Sequence, residues 1–174
     1  MLETDRLFIR PYTPDDLEEL IEMRTDPEVY RYLGGPNRQN RSEITKRLDF
    51  YMQCYEKLGF GMSAMIWREN GETIGGCGLQ PLEDTGEIEV GYSLKKNYWR
   101  QGIGYECAWA WLKYGFENAD LERIVAVADK DNTGSWRIME KCGMTYGGMK
   151  KAYGMECKFY AISKEDFLKE NKVQ

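Results

Sequence analysis

The stretch YWRQGIGYECAWAWLKYG, residues 98–115, places Gly102 and Gly104 one residue apart at the start of a helical pattern. Glycine lowers helix stability, so its presence at both positions requires a reason. Without side chains, these positions let backbone N–H groups approach phosphate oxygens closely, with the positive end of a helix dipole behind them. The pattern therefore predicts a pyrophosphate site on the backbone of residues 100–105.

Other interpretations of the paired glycines can be compared with the sequence. A Rossmann fingerprint needs a third small residue at the position of Cys107 and an early βαβ unit, and both requirements are poorly met. A Walker A loop needs GxxxxGK[ST], which occurs nowhere in the chain. A turn that serves only packing stays open as an explanation.

The chain contains no histidine, which excludes Ser-His-Asp and Cys-His nucleophilic machinery and the commonest metal ligand. Proton transfer must therefore use carboxylates, tyrosines, hydroxyls, the backbone or water. The five cysteines are widely spaced and form no CxxC pair. They predict reduced core thiols of a cytoplasmic protein, with neither a disulfide framework nor a metal site.

Charged residues are unevenly distributed along the chain, although the net charge is only −5. That balance argues against a general nucleic-acid surface. Residues 69–94 hold six acidic residues and no Lys or Arg, whereas KKNYWR, residues 95–100, holds three basic residues and no acid. One interpretation is ordinary solvated charge. The other is a pair of opposite fields beside the glycine turn.

The order of helical and strand patterns predicts a single α/β domain over residues 1–174. Seven strands are expected, at residues 6–12, 60–67, 73–82, 86–94, 123–129, 144–149 and 156–163. Helices are expected at residues 13–24, 42–57 and 131–143, after the glycine turn within residues 98–115 as far as about residue 118, and in a short stretch after residue 163. The early strands can pair antiparallel, whereas the central αβ crossover requires parallel pairing. No apolar run approaches the ~18 residues of a membrane helix, and the N-terminus lacks the features of a signal peptide.

Several ordered motifs resemble the GCN5-related N-acetyltransferases (GNAT), in particular the branch that acetylates ribosomal-protein N-termini. They are RLFIRPYTPDDLEEL, TIGGCGLQPL, EVGYSL, WRQGIGYECAWAWLKYGFE and DKDNTGSWRIMEKCGM. The resemblance implies a mixed, mostly antiparallel sheet of about six to seven strands flanked by about four helices. Two positions depart from the wider family: Trp99 stands where it has Arg or Gln, and Met139 stands where it has a catalytic tyrosine.

This resemblance implies acetyl-CoA as donor and a primary amine as acceptor, joined in a ternary complex without an acyl-enzyme. No metal is implied. Cys107 or Cys142 as an acyl carrier is an alternative, but buried core thiols are the favoured interpretation of both. A non-catalytic acetyl-CoA-binding module on the same fold is the alternative function, and a partner-binding protein on an old scaffold is the third.

The resemblance also implies roles for individual residues. Glu89 precedes VGY on the strand that lines the acetyl site in relatives, so it is the expected base, with Glu87 or water as alternatives. A backbone N–H near Gly91 and Tyr92 would serve the developing oxyanion. Ser135 would protonate the leaving thiol, unless its hydroxyl only caps a helix. The expected cofactor-binding residues are Gly91, Tyr92, Ser93, Leu94, Trp99, Arg100, Gln101, Gly102, Ile103, Gly104, Tyr105, Asn132 and Ser135.

Asn132 would orient the pantetheine amides, although its position also suits a helix cap. Tyr153, like Trp99, is a candidate aromatic of the site wall, but only Trp99 is retained. In relatives the strands of residues 69–94 flank the acceptor side, so this acidic stretch predicts a cationic acceptor. Protein or peptide N-termini, polyamines and aminoglycosides all stay open. A homodimer is a further expectation; a nucleic-acid or membrane partner is not.

Overall fold

The computed structural model describes residues 1–83 and 85–170, and Asp84 of the acidic stretch lies outside the described residues. The described chain forms eight strands and six α-helices. The strands are β1 (Leu2–Glu3), β2 (Leu7–Pro11), β3 (Met62–Trp67), β4 (Thr73–Pro81), β5 (Ile88–Leu94), β6 (Arg123–Asp129), β7 (Thr145–Ala152) and β8 (Met155–Ser163). The helices are α1 (Leu17–Thr25), α2 (Pro27–Tyr30), α3 (Arg41–Leu58), α4 (Ile103–Glu117), α5 (Thr133–Lys141) and α6 (Lys164–Glu170).

The strands form one sheet in the order β1-β2-β3-β4-β5-β6-β8-β7. Every neighbouring pair is antiparallel except β5 and β6, which are parallel and joined through α4. The predicted mixed, mostly antiparallel sheet is therefore confirmed. A parallel pair needs a long crossover connection, and α4 supplies it.

The parallel pair β5–β6 is the point at which the sheet opens. Its recorded register is the single pair Glu89–Val125, although β5 continues to Leu94 and β6 to Asp129. Along the C-terminal halves of these strands, the described residues show no further β5–β6 pairing. Ligands of open α/β sheets bind beyond the carboxyl ends of strands, so this opening is where a site is expected.

The two faces of the sheet carry different helices. On one face, α4 packs Trp111, Leu112 and Phe116 into a cluster that includes Met65 of β3. On the other face, α1 and α3 cover a cluster that includes Ala64, the residue adjacent to Met65. Neighbouring side chains of a strand point to opposite faces, which explains why adjacent residues belong to different clusters.

The counts of strands and helices are higher than expected from the sequence. The additional strand is β1, whose two residues pair with Phe8 and Ile9 and are too few to show an alternating pattern. The unexpected helix is α2, a single turn that begins with Pro27 after the capping residue Asp26. Within the described ranges, no helix is both long and apolar enough to cross a membrane.

Candidate active site

A cavity of about 110 Å³ lies where β5 and β6 part. The N-terminal end of α5, the β7–β8 turn, α1 and α3 enclose it. It brings together five of the residues predicted from the sequence, namely Glu89, Gly91, Tyr92, Ser93 and Ser135. It is also lined by Tyr153, the candidate wall aromatic that is set aside in favour of Trp99, and by residues that the sequence did not single out, namely Arg24, Arg47, Tyr51 and Gln80 among others.

Glu89 is a buried carboxylate on the wall of this cavity, with only 3% of its surface exposed. Its Oε1 accepts a hydrogen bond from Gln80 Nε2 at 2.8 Å and another from the Tyr153 hydroxyl. Burial raises the pKa of Glu89 to about 7, although both hydrogen bonds and the nearby Arg47 act to lower it. A carboxylate with a pKa near neutrality can accept a proton at physiological pH and release it again.

Tyr153 reaches Glu89 from the turn that joins β7 and β8. Tyr153 and Gly154 form a two-residue turn, with φ values of 53° and 74°. Positive φ at both central positions matches the right-handed twist of a hairpin, and glycine at the second position makes the turn accessible. Burial raises the pKa of the Tyr153 phenol, as does the neighbouring Glu89, so it acts as a hydrogen-bond donor. In the sequence, a Tyr-Gly pair between two strands indicates a turn, but it does not indicate the direction in which the Tyr153 ring points.

Glu87, the alternative base, lies outside the cavity. Its carboxylate accepts from Arg123 and lies 3.9 Å from Lys150 Nζ. These partners hold Glu87 on the outer surface, next to the loop between β4 and β5. Among the described carboxylates, the structure therefore places Glu89, and not Glu87, on the cavity wall.

The backbone of β5 presents one N–H group to the opening. Lys95 N–H donates to Ile74 O at 2.8 Å, which sets the hydrogen-bonding phase of the β4–β5 pair. Antiparallel strands bond through alternate residues, so the N–H groups of Gly91 and Ser93 point to β4. The N–H of Tyr92 then points toward β6, past the last β5–β6 pair. This position suits a donor to a developing oxyanion better than that of Gly91 does.

Ser135 and Tyr92 hold each other on the α5 side of the cavity. Ser135 Oγ donates to the Tyr92 hydroxyl at 3.2 Å, and that hydroxyl donates to Ser135 O at 2.9 Å. Burial raises the pKa of Tyr92, which keeps its phenol protonated. Met139 is buried beside them and has no proton to donate. The two hydroxyls are thus the proton donors that this wall offers.

Asn132 acts as the cap of α5, one of the two roles anticipated from its position. Its Oδ1 accepts from Ser135 N–H at 3.2 Å. The contact places the first turn of α5, and with it the Ser135 hydroxyl, against β5. Any role of Asn132 toward a cofactor stays a prediction.

Trp99 connects the end of β5 to the glycine turn. Its Nε1 donates to Leu94 O at 2.8 Å, on the side of β5 that faces away from β4. The indole packs against the cluster beneath α1 and α3. Trp99 therefore holds the backbone between β5 and α4, and it does not line the cavity.

The turn before α4 has the backbone conformation that glycine favours. Gly102 has φ 78° and is the N-terminal cap residue, and within the described chain no side chain caps this helix. Arg100, with φ 60°, adopts the same left-handed region. An uncapped helix start leaves backbone N–H groups for an anion, as a pyrophosphate site requires.

Packing against α5 favours glycine at position 104. A Cβ at this position would lie 2.7 Å from Ile138 Cδ1 of α5. Ile103 is also fully buried, and Tyr105 stacks on Trp109 with ring centroids 6.0 Å apart. The open explanation of a packing turn therefore applies to Gly104, whereas Gly102 meets only Arg6 Nη2, at 3.6 Å.

Arg6 of the β1–β2 turn fixes this loop from outside. Its Nη1 donates to Gln101 O at 2.8 Å, and its Nε donates to Glu106 Oε2 at 2.7 Å. The Thr4 hydroxyl also donates to Glu106. No local sequence pattern indicates this contact, because Arg6 and Glu106 are 100 residues apart.

The cysteines are placed as core thiols. All five are buried, and no disulfide joins them in the part of the chain described. Burial raises the pKa of Cys107 well above its usual range, which opposes formation of a thiolate. Cys142 is equally buried. Among residues 1–83 and 85–170, no three His, Cys, Asp or Glu side chains are grouped to hold a metal ion.

The acidic stretch is divided between the two ends of the β4–β5 hairpin. Glu72 lies at one end and pairs with Lys95, while Glu83 lies at the other and pairs with Arg38, each at 3.2 Å. The nine residues of β4 separate these ends, a distance of about 30 Å at ~3.3 Å per residue. Glu72 and Glu83 therefore lie too far apart to act as one local field.

Comparisons with known proteins agree with this geometry. A family described as "Acetyltransferase (GNAT) domain" matches residues 6–145. The chain is 30% identical over 154 residues to the uncharacterized N-acetyltransferase YoaA of Bacillus subtilis (strain 168), a match that covers 88% of this chain and 87% of YoaA. A GNAT-family acetyltransferase from Bacillus anthracis superimposes with a TM-score of 0.74 at 26% identity, covering 94% of this chain and 98% of that chain.

A likeness of fold extends to a ribosomal L7/L12 alpha-N-protein acetyltransferase, RimL, in complex with coenzyme A. The TM-score is 0.75 at 17% identity, covering 92% of this chain and 95% of that chain.

Proposed function

Because the chain belongs to the GNAT acetyltransferase family, we propose that it transfers an acetyl group from acetyl-CoA directly to a primary amine in a ternary complex. The observation that carries this proposal is Glu89. It is a buried carboxylate on the wall of a cavity at the opening of the sheet, hydrogen-bonded by Gln80 and Tyr153.

Two parts of the chain would hold acetyl-CoA. The uncapped start of α4, residues 100–105, would bind the pyrophosphate through backbone N–H groups. The outward side of β5, from Tyr92 to Leu94, would bind the pantetheine arm, with Asn132 opposite. When bound, acetyl-CoA supplies the acetyl group as an activated thioester. The RimL structure in complex with coenzyme A supports use of this cosubstrate by the fold.

Glu89 would prepare the acceptor for attack. An alkylammonium has a pKa near 10 and must lose a proton before its nitrogen becomes a nucleophile. Glu89 is ionised above pH of about 7, so at neutral pH a large share of the carboxylate is available as base. Gln80 and Tyr153 fix its orientation, which keeps the carboxylate aimed at one position.

The opposite wall would serve the carbonyl and the leaving thiol. The Tyr92 N–H, which points away from β4, would donate to the oxygen as negative charge develops there. Ser135 would turn its hydroxyl hydrogen from Tyr92 to the thiolate and give a proton or a hydrogen bond there, while the Tyr92 hydroxyl keeps its bond to Ser135 O. Ser135 would thereby take the role of the catalytic tyrosine of the wider family, whose position is occupied by Met139.

The test is release of CoA thiol from acetyl-CoA with a panel of amines. The panel includes peptides with ribosomal-protein N-termini, because RimL is a ribosomal-protein acetyltransferase, together with polyamines, aminoglycosides and amino acids. Acetyl-CoA-dependent formation of an N-acetyl product is the expected result. Calorimetric binding of acetyl-CoA without turnover on any amine would instead indicate the non-catalytic module, and absence of binding would contradict both functions.

A further inference from the structure

The part of the cavity between α1, α3 and Glu89, called here the acceptor half, contains two arginines that have no role in the catalytic steps proposed above. Arg24 comes from the last turn of α1 and Arg47 from the middle of α3, and both line the cavity together with Glu89. No carboxylate of residues 1–83 or 85–170 lies within ion-pair distance of either guanidinium. Buried charges are normally paired, so this absence requires an explanation.

Arg24 is nearly inaccessible, with 5% of its surface exposed. Its Nε donates to Gln39 Oε1 at 2.8 Å, and Gln39 Nε2 donates in turn to Leu33 O at 2.8 Å. These contacts fix the guanidinium but leave its charge uncompensated. Burial lowers the pKa of Arg24, and the like charge of Arg47 lowers it further. The two cations are thus close enough to repel each other.

Two polar atoms on the cavity residues have no hydrogen-bond partner in the described structure. They are Arg47 Nε, a donor, and Gln80 Oε1, an acceptor, and both are buried. A buried polar atom without a partner costs about 1–3 kcal/mol, so native proteins rarely retain one without a use. Both residues act on Glu89, because Gln80 Nε2 donates to its carboxylate and the charge of Arg47 lowers its pKa.

The other charges around the cavity do not neutralise the arginines. Glu89 is only partly ionised at neutral pH. Asp129 lines the cavity at the end of β6, where its Oδ1 accepts from Asp131 N–H at 2.9 Å. Glu83 pairs with Arg38, which lies over the Tyr153 ring at 5.6 Å. The acceptor half of the cavity is therefore a site for an anionic group next to a base.

We propose that the acceptor carries a carboxylate on the same molecule as its amine, with the carboxylate bound by Arg47 and Arg24 and the amine held between Gln80 Oε1 and Glu89. This inference rests on the proposed acetyl transfer and deepens it by naming a substrate class, an amino acid or an acidic peptide N-terminus. The amine itself is still a cation when it arrives. The second charge, however, differs from the expectation drawn from residues 69–94, where Glu72, Glu83 and Glu87 are each ion-paired.

The first experiment compares matched acceptors that differ only in the carboxylate. Free amino acids are compared with their carboxamides, and dipeptides with Asp at the second position with dipeptides that have Asn there. Rates are calculated per free amine, because loss of the carboxylate also changes the amine pKa. The carboxylate forms are expected to have kcat/KM values at least about 10-fold higher, the effect of a hydrogen bond to a charged group. The pair with the larger difference in kcat/KM shows whether the recognised carboxylate is that of a free amino acid or the Asp side chain of a peptide.

The second experiment removes the donor with the variant Arg47→Gln. The KM of the carboxylate acceptor is expected to rise about 10–100-fold, while the KM values of acetyl-CoA and of the carboxamide stay near wild type. Any fall in kcat should be common to both acceptors, because the charge of Arg47 lowers the pKa of Glu89. Arg41→Gln is the matched control, since Arg41 lies on the same helix but is exposed and paired with Glu18. An equal rise in KM for the carboxylate acceptor and for its carboxamide would show a structural role for Arg47 and overturn the proposal.

Failure of the proposed function would have a different signature. If no amine of any class is acetylated, the transferase proposal fails, and binding then tests the subsite alone. Calorimetry of the amino acid with the protein–CoA mixture is expected to show binding that Arg47→Gln weakens and Arg41→Gln does not. Equal rates for carboxylates and carboxamides with wild type, or binding unaffected by Arg47→Gln, would overturn the subsite.

Discussion

At the scale of single residues, Glu89 determines the pH dependence of the reaction. Only its ionised form accepts a proton, so kcat/KM should fall about tenfold per pH unit as the pH drops below about 7. Glu89→Gln removes this limb and lowers the rate by about 10²–10⁴-fold at neutral pH. The loss should shrink as the pH rises, because an amine that is already neutral needs no base. Initial rates of thiol release between pH 5.5 and 9.5 measure both effects.

Glu87→Gln is the control for this substitution. Glu87 lies two residues earlier, just before β5, and is held on the outer surface by Arg123 and Lys150. The control should keep the wild-type pH profile. A rate defect in Glu89→Gln that does not change with pH would instead assign proton removal to water and give Glu89 an orienting role.

Ser135 permits a second test at this scale, directed at the leaving group. Ser135→Ala removes the hydroxyl that donates to Tyr92, and it should lower kcat by about 10²-fold while acetyl-CoA affinity changes little. Thr133→Ala removes an exposed hydroxyl two residues earlier in the same helix turn and should be nearly neutral. Single-turnover rates and calorimetry separate the two parameters. A loss of affinity equal to the loss of rate would mean that Ser135 only positions the cofactor.

At the scale of elements, the β1–β2 turn supports the start of α4. Arg6 forms an ion pair of 2.6 Å with Glu106 and also bonds Gln101 O, so it fixes the loop backbone. Arg6→Lys retains the charge but loses the two-pronged geometry. It should weaken acetyl-CoA binding about 10-fold and leave kcat at saturation unchanged. Arg123→Gln, which breaks an exposed ion pair elsewhere, should affect neither. An unchanged Kd in Arg6→Lys would contradict a positioning role.

Gly104 separates packing from cofactor contact, since its missing side chain faces Ile138 Cδ1. Gly104→Ala should lower the thermal midpoint and acetyl-CoA affinity together. The double variant Gly104→Ala/Ile138→Val shortens the opposing side chain and should restore the thermal midpoint. If affinity returns with stability, Gly104 is a packing residue. If the double variant is stable but still binds weakly, a close approach of cofactor to this position is indicated.

The sequence predicted the elements better than it predicted the cavity. Strands such as β5 and β6 have local patterns that are readable in a few residues, and the glycine turn before α4 has a conformational requirement of its own. Arg47 has no such signal, because an arginine on a helix is an ordinary surface feature. Tyr153 is a candidate wall aromatic in the sequence, but nothing local distinguishes it from the aromatics of the core. Their meeting at Glu89 depends on contacts over as many as 64 residues. The fold brings these residues close to Glu89, and no local sequence pattern indicates that proximity.

At the scale of the whole molecule, one interruption of the sheet provides the site. The β5–β6 pairing ends at Glu89–Val125, which leaves backbone groups of β5 for ligands and lets α5 and the β7–β8 turn meet across the opening. A fold that opens its sheet gives up pairing energy there, and it buries a carboxylate beside the opening. The functional arrangement should therefore reduce stability, in a way that depends on pH.

The final prediction measures this cost through Glu89. Its pKa is 4.5 as the ordinary value and about 7 in the folded protein, so the carboxyl is protonated in both states below pH 4.5 and ionised in both above about 7. Between these limits the unfolded chain ionises first, and the wild type loses stability relative to Glu89→Gln as the pH rises. A rise of this size corresponds to at most about 3 kcal/mol, or several degrees in the thermal midpoint.

Urea unfolding of both proteins at pH 4.5, 6 and 8 gives the difference in free energy of unfolding directly. That difference should favour Glu89→Gln increasingly with pH, whereas Glu87→Gln, which removes a half-buried, ion-paired carboxylate outside the cavity, should not show this increase. The variant that loses catalysis would then be the more stable protein at neutral pH. A difference for Glu89→Gln that does not change between pH 4.5 and 8 would show that burial does not raise this pKa, and the proton-accepting role at neutral pH would lose its physical basis.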